Sequence, residues 1–96
     1  MNALEKQKLT LLSHSKNMLN AALSEDWQRF SELDSVWQTQ LKTAVDMYGL
    51  QLESISKQLL NDNETIQKKI KQAQALLASE LQKNNQSHTS VKQYLK

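Results

Sequence analysis

The side chains nearest to an active site in this 96-residue chain are His14, His88, Ser13, Ser15, Ser24, Asp62 and Glu64. None sits at a working spacing. Neither histidine has a cysteine, a second histidine or a carboxylate at metal-ligand distance along the chain. Asp62 and Glu64 are two positions apart, so on a helix they point to different faces and cannot share acid–base work. No motif places a base beside any of the serines. A single glycine excludes a glycine-rich phosphate loop. The residues therefore describe a chain that is not an enzyme and needs no metal or cofactor. The run Lys68, Lys69 and Lys71 is the remaining chemical signal. A nucleic-acid patch would look like this, but so does the complement of an acidic neighbour in the same fold, and nucleic acid is not the expected partner.

The elements that carry these residues follow from composition. There is no proline and no cysteine, aromatic residues make up 5%, and hydrophobic residues 39%. Strands and tight hairpins need the residues that are missing, whereas Leu, Gln, Lys and Ala favour helix. The absence of cysteine excludes a disulfide framework. The amino terminus carries charges throughout and does not read as a signal peptide, and no run is long enough to span a membrane. A single cytoplasmic helical domain over 1–96 is expected.

Periodicity divides it. Leu4, Leu11 and Met18, with Leu12, Leu19 and Ala22, predict a helix over about 3–23. Ser24 is placed as the N-cap of the next, with Glu25 and Asp26 favoured by its dipole. Trp27, Phe30, Leu33, Trp37, Leu41, Ala44 or Val45, and Tyr48 form the second stripe, over about 25–47, and the two tryptophans are read as core fillers rather than a recognition box. The pattern continues without slipping through Leu52, Ile55, Leu59, Ile66, Ile70, Ala73, Leu77 and Leu81. It permits one rod from 25 to 85, about 90 Å long at 1.5 Å per residue, which a lone chain could not bury. Such a rod would make a structural coiled-coil protein that self-associates through the 25–85 stripe. Asp62 and Asn63 interrupt that seam, and no regular heptads persist.

A break at Gly49 is the better reading. Residues 24–64 carry a net charge of −5 and residues 65–96 a net +5. A hairpin near residue 48 sets Glu25, Asp26 and Asp34 toward Lys71, Lys69 and Asp62, so acid meets base. The prediction is an antiparallel three-helix bundle, with helices over about 3–23, 25–47 and 50–85, a long third helix, and a short C-terminal helical stub in the tail 86–96. The third helix outruns its partners from about residue 71, yet its apolar stripe continues. If NNQS (84–87) turns the chain back, Val91, Tyr94 and Leu95 fold over Leu77 and Leu81 as a small lid. The candidate partner-binding residues are thus Ala73, Leu76, Leu77, Leu81, Val91, Tyr94 and Leu95. A second copy, in a homodimer, is the alternative cover.

The order LLSHSKNML, a small joint with Asp26 and Trp27, QLLNDNETIQKKI, a long Gln/Leu/Ala helix and Tyr94 resembles the FliT type of flagellar export chaperone. Trp27, the Leu60–Asn61 step, Ile66 and Tyr94 are its best landmarks. The resemblance implies a cytoplasmic helical protein that binds the C-terminal segment of the filament-cap (FliD-like) protein before type III export. It also implies contacts with the export ATPase complex and the export gate, the latter involving the tyrosine that matches Tyr94. In enteric relatives the family restrains the master flagellar transcription regulator. Two departures stand out. The connection around Gly49 is shorter than the family's, and the chain ends two residues after Tyr94, where the family has a regulatory fourth helix.

Overall fold

In the computed structural model, residues 1–87 are described, with side chains as far as Lys83. Every element among them is helical: α1 (Ala3–Leu23), α2 (Trp27–Tyr48), a short 3-10 turn (Gly49–Leu52) and α3 (Glu53–Ser87). Asn2 caps α1 by accepting from the Glu5 amide at 2.8 Å, satisfying one of the donors that every helix start leaves open.

The first joint differs in detail from the sequence reading. Ser24 is the C-cap of α1 and its hydroxyl donates to the Asn20 carbonyl at 2.8 Å. The N-cap of α2 is Asp26, whose carboxylate accepts from the Arg29 amide at 3.2 Å, so α2 begins at Trp27 and not at 25. Between them Glu25 takes a φ of 59°. The Glu25 amide donates to Ala22 and the Asp26 amide to Ala21, at 3.1 and 2.8 Å. These are the two bonds of a Schellman ending, with glutamate where glycine is usual.

The second joint is at Gly49, where φ is +50° and ψ −120°. Only glycine adopts this readily, because a side chain there crowds its own backbone. The unbroken rod over 25–85 is therefore excluded, and α3 runs back along α2. α3 then continues through NNQS to Ser87. The turn expected at 84–87 is absent: neither proline nor glycine interrupts those residues, and the helix simply propagates. Val91, Tyr94 and Leu95, and with them the lid, lie outside the described residues.

α1 packs closely against both arms of the α2–α3 hairpin, while the backbones of α2 and α3 scarcely approach each other. The arrangement is all-helical but open, not a bundle closed on three sides. Two clusters make the core. Leu11, Ala44, Leu52 and Ile55 lie at the Gly49 end, and Met18, Ala22 and Ile66 at the other; Trp37 packs against both. The molecule measures 60 × 21 × 19 Å. Its long dimension exceeds the roughly 33 Å of α2 because α3 projects past the joint.

Candidate functional site: an open trench between α2 and α3

The site begins with what holds the two arms apart. Three consecutive residues of α1 bind both. His14 stacks on Trp37, with ring centroids 5.5 Å apart and planes at 14°. Its Nε2 lies 2.7 Å from the Leu33 carbonyl oxygen, and since a carbonyl only accepts, Nε2 carries the proton. Toward α3, the Ser15 hydroxyl and the Lys16 ammonium donate to the two oxygens of Asp62, at 2.9 and 2.8 Å. Asp62 is buried, at 5% side-chain exposure, and Lys16 is half exposed. A buried carboxylate with both oxygens bonded is tied to one register, because any slip strands it unpaired in the core. Sequence reasoning missed this pairing. It had set Asp62 against α2, whereas the carboxylate turns to α1.

With α1 behind them, α2 and α3 leave a trench on the opposite side, apolar at its two ends and mixed in its middle, where Asp34, Gln38, Asn63 and Gln67 join the lining. Leu41, Val45 and Leu50 line it at the corner; Phe30, Trp37 and Ile66 line the middle, with Ser15 and Met18 of α1 as floor. Trp27, Ala73 and Leu77 line the end beyond. Leu59 belongs to both corner and middle, and Ile70 to both middle and end, so the three stretches are continuous. From Leu52 to Leu77 the trench is about 38 Å long at the helical rise. At the corner Leu50 is 89% exposed.

Past the joint, Trp27 and Glu25 are the residues of the other helices that share a hollow with α3 among the described residues. The ion pair between Lys69 and Glu25, at 3.7 Å, marks the level at which α1 and α2 stop. Leu76 and Leu77 lie beyond it at 63% and 60% exposure, and Ala73 and Leu81 are half-buried. Glu25, Trp27 and Glu80 share a shallow hollow with Leu76 there. The structure thus brings Ala73, Leu76 and Leu77 together around Trp27. The α2 wall, Phe30, Trp37, Leu41 and Val45, was absent from the sequence candidates. A signal for it existed. The stripe on α2 reads equally well through Ala44 or Val45, because the helix has two apolar faces: Leu33 and Ala44 pack toward the core with α1, and Phe30, Leu41 and Val45 line the trench.

The charge match that motivated the hairpin is only thinly realised. Glu25–Lys69 is formed, but Asp26 caps α2 and Asp34 lines the trench beside Gln38. Among the described residues no three His, Asp or Glu side chains converge in a metal-binding group. No described helix is long and apolar enough to cross a membrane. What the geometry can do chemically is bury an apolar stripe brought by something else. A family model described as "Flagellar protein FliT" matches residues 5–96, while no curated protein and no solved structure matches the chain.

Proposed function

Because the chain belongs to the FliT family of flagellar export chaperones, we propose that it works in the cytoplasm, holding the C-terminal segment of the filament-cap (FliD-like) protein until export. The single observation that supports this is the trench, which runs on past Ala73 to Leu76 and Leu77, both more than half exposed. Exposed apolar surface of that extent suits an amphipathic helix of a client, laid in as a further helix against α2 and α3. Delivery follows through the export ATPase complex and the export gate, with Tyr94 as the residue of the chain assigned to the machinery.

Isothermal titration of the protein with a cap-protein C-terminal peptide tests the reading. Leu77→Asp sets an unpaired charge on the apolar stripe. It should weaken binding at least 100-fold, or about 2.7 kcal/mol. Helicity and melting should stay unchanged, because Leu77 is exposed in the free protein. Normal binding by Leu77→Asp would remove the far end of α3 from the site.

A further inference from the structure

The charges that line the trench are all of one sign. Asp34 stands in its middle, Glu53 at the corner, and Glu25 and Glu80 at the far mouth. No lysine, arginine or histidine lines these hollows, although the chain carries a net +2. Glu25 has Lys69 opposite it, but Asp34 has only the Gln38 amide, at 3.4 Å. The remaining polar lining is neutral: Asn63, Gln67 and Gln74.

From this we infer that the trench selects an amphipathic partner helix of about 25 residues whose polar flanks carry lysine or arginine, with Asp34 as the central specificity residue. The inference rests on the client-binding reading above and adds the chemistry of the client. The length follows from Leu52–Leu77 on α3. A basic flank follows because carboxylates at the edge of an apolar contact sit in reduced dielectric once it is covered, where a matching cation is favourable and a second carboxylate is penalised. Two other occupants fit less well. From Ser87 back to Leu59 is about 42 Å along the helix, whereas residues 88–96 reach roughly 32 Å at full extension, so they cannot fill the corner half. A second copy laid trench to trench sets Asp34, Glu53 and Glu80 against the same acids.

The test uses the full chain and two synthetic 25-residue peptides that share one leucine stripe and lack tryptophan. One has lysine flanks and the other glutamate flanks. A lysine peptide of scrambled stripe is the control. Titrations follow the fluorescence of Trp27 and Trp37, which line the trench, at low and high salt. The lysine peptide should bind at least about 10-fold tighter than the glutamate peptide at low salt, the gap narrowing as salt rises. The scrambled peptide should not bind. Asp34→Lys should cut the preference at least about threefold without loss of helicity. The chain's net positive charge opposes this order, so long-range attraction cannot imitate it. Equal or inverted affinities overturn the inference, as does an unchanged preference in Asp34→Lys. If the cap-protein peptide still binds in a Leu77→Asp-sensitive way, the chaperone reading survives that failure. If neither designed peptide binds and Leu77→Asp dissociates a dimer, the occupant is a second copy and the inference falls.

Discussion

His14, Ser15 and Lys16 do at residue scale what this small aliphatic core does not do by packing alone: they set the register of α1 against two helices at once. Apolar stripes tolerate sliding by a turn, since one leucine replaces another. The bond from His14 to the Leu33 carbonyl and the Ser15–Asp62 bond do not, because each has one partner. Asp62→Ala should cost about 1–3 kcal/mol, the range for leaving a buried hydroxyl without its acceptor. Leu11→Ala should cost about 2–5 kcal/mol, since Leu11 is fully buried and the site cannot collapse around a backbone held on both sides. Urea titration followed by helicity measures both. A loss below about 0.5 kcal/mol in Asp62→Ala would show that the polar contact does not hold the register. In the sequence His14 stands out only as a candidate ligand, and Asp62 as half of a failed carboxylate pair and an interruption of the apolar seam, because periodicity has no vocabulary for a polar bond across a core.

At the scale of elements, the two joints are strained to different degrees. Glu25 holds a left-handed conformation that costs an L-residue about 1–2 kcal/mol. Its ion pair with Lys69 is long and its own carboxylate side is mostly exposed, so the pair contributes little. Glu25→Gly should therefore stabilise the fold by up to about 1 kcal/mol. Gly49→Ala should do the reverse, by about 1–3 kcal/mol, from backbone strain alone. Nothing lies within 4 Å of the added Cβ, so crowding by neighbours plays no part. Thermal melts of the two variants should move in opposite directions. If Gly49→Ala melted like the parent, the corner would be able to relax, and the case for glycine at that joint would fail. Gly49 was legible because it is the chain's single glycine at a place where a lone rod could not bury itself. The Ser24 cap was misplaced because Ser24 and Asp26 are both good caps, and only the Schellman bonds decide between them.

For the molecule as a whole, the open trench and the projecting end of α3 divide stability unevenly. Residues 55–70 of α3 pack on α1 and across to α2, whereas those after the joint touch mainly Trp27. Amide hydrogen exchange should therefore be slow over 55–70 and faster over 72–83, on the timescale of local opening. Uniform protection from 55 to 83 in the free protein would mean that the far end is already covered, by residues 88–96 or by a second copy.

What the sequence determined by itself is the helical class, the break at Gly49 and the projection of α3, because composition, a lone glycine and the unequal lengths of apolar stripes are properties of the chain. It did not foresee that Trp27, at the start of α2, shares a hollow with Ala73, Leu76 and Leu77. Tertiary structure decided the rest. Whether three helices close or stay open depends on how far α1 wedges α2 from α3, which the separation of their backbones reveals and periodicity does not. The second apolar face of α2 becomes a trench wall only once its first face is occupied. The acids of the sequence's middle block and the bases of its end looked like mutual partners. In three dimensions Asp62 turns inward to α1 while Asp34 lines the trench, because charge pairing follows proximity across helices and not position along the chain.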